Sequence, residues 1–167
     1  LGAGAGRTIV SLLDVDAPLG DASRPEWLWQ RAAWLPGAAD IEHSTVVCGC
    51  GGDMAVRATL PAILSRSARL VLDADALNAV AADPSLQALL RSRAARGHAT
   101  VLTPHPLEAA RLLGSSTAAI QAGRLGSAQT IADRFGATVV LKGSGTVIAA
   151  PATPIGLSSS TPETTVG

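Results

Sequence analysis

Short aliphatic and β-branched runs recur along this chain, each followed by a longer stretch in which apolar residues return every three or four positions. The runs at 8–12, 44–48, 69–73, 99–102 and 138–142 read as strands, because short β-branched segments bounded by Gly, Pro, Asn or Asp suit a buried pleated surface. Helical spacing marks 53–65, 74–82, the stretch opened by Pro84 that carries Leu86, Leu89 and Leu90, then 106–113 and 120–135. Pro25 near a first turn predicts a further helix over 24–35, while Pro61 predicts a kink or a restart. Gly114 and Gly136 stand where helices should stop. Residues 146–150 follow the strand at 138–142 across Gly143-Ser144-Gly145, which predicts an antiparallel hairpin.

Strand–helix alternation predicts a mainly parallel sheet with helices on both faces. Ligands of such sheets bind beyond the carboxyl ends of the strands. The chain concentrates its unusual polar residues there, at 49–53, 73–78, 103–108 and 142–146.

A length of 167 residues fits one domain, and 47% apolar with 16% charged residues lies far from the disordered regime. Lys plus Arg equals Asp plus Glu at 13 each, so no basic stripe awaits nucleic acid. No apolar run approaches the roughly 18 residues that span a bilayer, and no signal peptide is visible, which makes a cytoplasmic location the default. Cys48 and Cys50, one residue apart, cannot build a disulfide framework, and their spacing is not that of a zinc knuckle. The chain starts at Leu1 and ends in a Ser/Thr-rich stretch, so both ends read as cut from something longer. The expected organisation is a partial domain over 1–150 and an irregular tail over 151–167.

Four segments could carry chemistry. Cys48-Gly49-Cys50-Gly51-Gly52-Asp53 lets the backbone turn tightly and approach a ligand; the bland alternative is an ordinary turn from strand to helix. In Leu72-Asp73-Ala74-Asp75-Ala76-Leu77-Asn78, one carboxylate is explained by helix capping, and the pair with Asn78 less well. Thr103-Pro104-His105-Pro106-Leu107-Glu108 holds His105 extended between two prolines at a strand end, which favours ligand contact over a purely structural histidine. Lys142-Gly143-Ser144-Gly145-Thr146 joins an ammonium, hydroxyls and turn N–H groups that could hold a phosphate; by itself it reads more readily as a simple hairpin with a solvated lysine. It is not a Walker A loop, since a strand follows it. His43 and His98 read as surface residues, and Trp27, Trp29 and Trp34 as packing.

The order of these segments resembles the NAD(P)H-hydrate dehydratases, a branch of the ribokinase-like superfamily, from about Gly2 to Ala150, and Thr-Pro-His-Pro is the most specific piece. The resemblance implies a ribokinase-like three-layer α/β/α sandwich with a mainly parallel sheet and a C-terminal antiparallel hairpin, truncated at both ends. It implies dehydration of hydrated NADH or NADPH (the S-epimer) with ADP or ATP as co-substrate and Mg2+: the nucleotide phosphorylates the added hydroxyl, phosphate leaves and the ring double bond returns. Gly51 and His105 would line the hydrated-cofactor site, with Asp73, Asp75 and Asn78 on the crevice floor. Lys142, Gly143, Ser144, Gly145 and Thr146 would hold the nucleotide.

Homo-oligomeric assembly and an epimerase domain fused upstream also belong to this picture. The family's Gly-Pro-Gly-Leu-Gly is here Gly49-Cys50-Gly51-Gly52-Asp53, which keeps the turn and alters its detail. Its Gly-Thr-Gly-Asp segment, which supplies the anion hole and the general base, has no match, so no catalytic residue is assigned and the chain alone is expected to be inactive. The rival readings are a vitamin-precursor kinase of the same superfamily and a non-catalytic nucleotide-binding remnant.

Overall fold

The computed structural model describes residues 7–14, 16–25, 27–31 and 39–152. Two parallel strands, β1 (Ile9–Leu12) and β2 (Leu28–Arg31), form a small sheet. The main sheet runs in the order β3 (Thr45–Cys48), β4 (Arg69–Leu72), β5 (Ala99–Leu102), β6 (Thr138–Leu141) and β7 (Val147–Ala149). Its first four strands are parallel, and β7 returns antiparallel to β6, as the hairpin pattern predicts.

Helices α1 (Val56–Arg66), α2 (Ala74–Ala82), α3 (Pro84–Ala95), α4 (Pro106–Leu113), α5 (Thr117–Ala122) and α6 (Arg124–Phe135) connect the strands. Their ends follow local chemistry. Asp83 accepts from the N–H groups of Ser85 and Leu86 ahead of Pro84, and Gly114 closes α4 in the left-handed conformation at φ 64°. No described helix is long and apolar enough to cross a membrane.

Cys48, Leu72, Leu102, Val139 and Ala149 lie side by side in register and are buried. With Leu70 and Leu141 they join a core that includes Leu60 and Leu64 of α1, Leu77 and Val80 of α2, Leu90 of α3, Leu112 of α4, and Ile131 and Phe135 of α6. Alternation puts Val47, Val71, Val101, Val140 and Ile148 on the opposite face, where Val47 and Ile148 are 65% and 71% exposed. None of these five belongs to the core, so the cover expected on both faces is seen on one among the described residues.

Three local expectations are corrected. Residues 28–31 of the expected helix at 24–35 are strand β2: they pair with β1 at Val10↔Trp29 and Ser11↔Gln30, a distant partner that overrides the start signal of Pro25. Trp34 lies outside the described residues. The long helix expected at 120–135 is two, because the Gly123 N–H closes α5 onto Ala119 while its carbonyl opens α6 by accepting from Ser127. Pro61 sits within α1 and does not end it; the preceding residues 53–55 form a separate 3-10 turn.

At the amino-terminal side of the sheet, Arg93 is buried. Its guanidinium donates to the Thr100 hydroxyl, to the Leu64, Ser67 and Ala99 carbonyls, and to the Ser67 hydroxyl, at 2.8–3.2 Å. Burial pulls its pKa down to about 10, so it stays charged at neutral pH. The cation lies against the carboxyl end of α1, where the helix dipole favours it.

Candidate active site

Parallel pairing of β3 to β6 brings their carboxyl ends to one rim, and backbone bonds continue the ladder past the strands. The Asp73 N–H donates to Cys48 (3.0 Å), Thr103 N–H to Leu72 (3.0 Å), and Lys142 N–H to Pro104 (2.8 Å). Residues far apart in sequence are thereby locked a strand spacing apart. The Lys142 bond sets that residue beside the Pro104–His105 segment.

Gly49 begins the loop after β3 with φ 118°, and a Cβ there would lie 1.9 Å from the Asp73 carbonyl oxygen. Only glycine permits this approach. It lets the Gly49 carbonyl accept from the Asp75 N–H at 3.3 Å, and the Asp53 N–H donate to the Asp75 carboxylate at 2.9 Å. Gly51 also has a positive φ, 67°, but faces open space. Asp53 and Ala74 adopt positive φ without being glycine, which places backbone strain at this rim.

Asp73 is the N-cap of α2 and accepts from Ala74 N–H at 2.9 Å. Its ion pair gives it a second part: Lys142 Nζ lies 2.5 Å from Oδ1, while the Thr103 hydroxyl donates to the Leu72 carbonyl at 3.2 Å. Burial pushes the Asp73 pKa up, yet the Lys142 ammonium, the Ala74 N–H and Thr103 outweigh it and hold the carboxyl below its usual range. Capping and site building are therefore done by one side chain. Cys50 points its thiol at the same carboxylate from 3.9 Å, while burial and the neighbouring Cys50 push Cys48 up to about 11, leaving it an unreactive thiol.

His105 is the N-cap of α4. Its Nδ1 accepts from the N–H groups of Leu107 (3.1 Å) and Glu108 (3.3 Å), and Glu108 Oε2 accepts from the His105 N–H (2.7 Å), completing a capping box. An accepting Nδ1 leaves the proton on Nε2, which lies 3.3 Å from Glu108 Oε1. The imidazole is thus fixed in tautomer and direction while its side chain remains 46% exposed. Glu108, the other half of this box, is buried.

Behind the turn that follows β6 lies a residue the sequence did not single out. Arg124 Nη2 approaches the carbonyls of Leu141 (3.1 Å), Lys142 (3.3 Å) and Gly145 (3.1 Å). Gly143, Ser144, Gly145 and Thr146 are exposed. No sequence signal marks Arg124, since it opens a helix 17 residues before the nearest carbonyl it holds.

The remaining expected residues sit to one side. Asp75 and Asn78 line a shallow groove of about 120 Å³ with Asp53, Met54 and Arg57. Asn78 Oδ1 accepts from Arg111 at 2.6 Å and ties α2 to α4. Among the described residues, then, Asp73 and Lys142 meet directly, Thr103 and His105 flank them, and Asp75 and Asn78 face the adjoining groove. No group of three His, Cys, Asp or Glu side chains among the described residues could hold a metal.

This chain is similar in sequence and fold to known proteins. The family model described as NAD(P)H-hydrate dehydratase matches residues 30–166. An ADP-dependent (S)-NAD(P)H-hydrate dehydratase of Neisseria meningitidis is 44% identical over 137 residues, covering 80% of this chain and 45% of the relative. A bifunctional NAD(P)H-hydrate repair enzyme of Escherichia coli is 44% identical over 88 residues, 53% of this chain and 15% of the relative. The Bacillus subtilis ADP/ATP-dependent NAD(P)H-hydrate dehydratase, co-crystallised with ATP and Mg2+, superposes with a TM-score of 0.57 at 27% identity, covering 78% of this chain and 45% of that one.

A ribokinase-like superfamily protein of Enterococcus faecalis gives a TM-score of 0.62 at 21% identity, over 91% of this chain and 52% of that one, which supports the fold alone. The chain spans less than half the length of the Neisseria relative. With a ribokinase-like α/β fold and a family match over most of its length, this chain belongs to the NAD(P)H-hydrate dehydratase family.

Proposed function

We propose that this chain carries the nucleotide- and substrate-binding rim for ADP- or ATP-dependent dehydration of hydrated NADH or NADPH. The observation that carries the reading is the Asp73–Lys142 pair, which stands where the Gly49 loop, the Thr103-Pro104-His105 segment and the turn after β6 converge. A nucleotide phosphate fits the turn: Lys142 supplies an ammonium, and Gly143, Ser144, Gly145 and Thr146 supply backbone N–H and hydroxyl donors. His105, held in one tautomer, would present its edge to the hydrated nicotinamide beside Gly51, and Asp75 and Asn78 would bound the adjoining groove. When bound, the nucleotide supplies the phosphoryl group that turns the added hydroxyl into a leaving group.

Mg2+ finds no ready-made ligand set among the described residues, and Asp73, the nearest carboxylate to Lys142, is committed to that lysine. Residues 1–150 are taken as the part of the domain that builds the rim, acting in the cytoplasm; the bifunctional relatives support a further domain fused to it in the whole protein.

Calorimetric titration of the chain with ADP and with ATP tests the binding half of this reading, and recovery of dihydronicotinamide absorbance from the hydrate tests the chemistry. Saturable ADP heat that vanishes in Lys142→Met is the expected result. Titrations in which wild type and Lys142→Met behave alike would remove the nucleotide site from this rim.

A further inference from the structure

We infer that Arg124 is a positioning residue for the phosphate-binding turn, an inference that rests on the nucleotide reading of Lys142, Gly143, Ser144, Gly145 and Thr146. Its guanidinium lies against the inner side of that turn: a Cβ built on Gly143 would come within 2.9 Å of Nη1. The same group gathers the carbonyls of Leu141, Lys142 and Gly145 at 3.1–3.3 Å, and Nη1 is itself held by Gln121 Oε1 at 3.0 Å.

A trans peptide unit points its C=O and N–H in opposite directions. Drawing the Lys142 and Gly145 carbonyls toward Arg124 therefore turns the next N–H groups, those of Gly143 and Thr146, away from it. Both residues are exposed, and Lys142 is partly so. The turn so held has the form of an anion nest, two outward N–H groups beside an ammonium, with a second cation behind it. Gln121 steers the guanidinium without neutralising it, so the charge of Arg124 adds to the field at the nest.

Lysine at this position would keep the charge but has a single nitrogen, so it cannot be held by Gln121 through one nitrogen while a second, fixed in the same plane, faces the three carbonyls. The discriminating variants are therefore Arg124→Lys and Arg124→Met, compared with wild type in the full chain by three readouts: ADP affinity, the urea unfolding midpoint, and backbone order parameters of Gly143, Ser144 and Gly145 by ¹⁵N relaxation. Arg124→Lys should lose about tenfold in ADP affinity at an unchanged midpoint, the loss of one charge-assisted contact to phosphate. Its turn amides should fall from order parameters of about 0.85 to below about 0.6.

Turn amides that stay ordered in Arg124→Lys, or an affinity loss matched by a lower midpoint, would overturn the inference. Should Arg124→Met fail to fold, Arg124→Lys still decides. If wild type itself binds no ADP, the nucleotide reading fails, and the order parameters with a titration of inorganic phosphate judge the clamp separately.

Discussion

Replacing Gly49 with alanine would place a methyl carbon 1.9 Å from the Asp73 carbonyl oxygen and within 3 Å of Ala76. Ordinary contact requires the two chain segments to separate by about 1.5 Å, and overpacking of that kind costs about 1–3 kcal/mol. The backbone adds its own penalty, because φ 118° lies where side chains are rarely found, worth about 1–3 kcal/mol. Gly49→Ala should therefore lose about 2–6 kcal/mol, a large share of the stability of a small domain.

Gly51→Ala is the internal control. It also has a positive φ, 67°, but its Cβ would meet nothing within 4 Å, so only the left-handed penalty of about 1–2 kcal/mol applies. Urea unfolding of both variants, read at constant m, separates close approach from backbone conformation. ADP titration of whichever variants fold shows whether moving Asp73 disturbs Lys142. Equal losses in the two variants would refute the reasoning, since they would mean that the approach of Gly49 to Asp73 carries no weight.

Three further outcomes follow from the site and the core. The folded pKa of Asp73 is depressed, so its ion pair stabilises the fold above the unfolded carboxylate pKa and the contribution is lost as pH falls through the lower folded value; the midpoint gap between wild type and Asp73→Asn should shrink on acidification, and a gap constant with pH would deny the pair a role in stability. His105→Asn preserves an N-cap acceptor while His105→Ala does not, so alanine should cost about 1 kcal/mol and asparagine less in thermal unfolding, yet both should weaken binding of hydrated NADH; full binding by either variant would leave His105 a cap and nothing more. Arg93→Met takes the guanidinium from the Ser67 carbonyl and from the buried Ser67 and Thr100 hydroxyls, leaving the Leu64 carbonyl to Arg96, and should destabilise by about 3–5 kcal/mol in urea, with a loss under 1 kcal/mol counting against the network.

Local chemistry in the sequence determined much of this protein. Asp83-Pro84, His105-Pro106 with Glu108, and Gly114 after Leu113 state their helix ends within a few residues, because capping and left-handed stops are contacts between near neighbours. The runs that became β3 to β7 were equally plain, since a buried pleat selects aliphatic and β-branched residues wherever it lies in the chain. The four segments singled out for chemistry do lie at one rim of one sheet.

Tertiary structure decided the rest. Strand β2 exists because β1 pairs with it, and no signal within 24–35 outweighed the start offered by Pro25. The break at Gly123 divides one helical pattern into α5 and α6. That Asp73 would meet Lys142, 69 residues away, rather than cap α2 alone was fixed by the register of three parallel strands. The need for glycine at position 49, and the hold of Arg124 on the turn, likewise arise between segments that sequence spacing does not relate. Hydrophobic pattern reports what each segment does with its own neighbours; which loops then touch depends on strand order and register, and these are settled only when the whole sheet closes its hydrogen bonds.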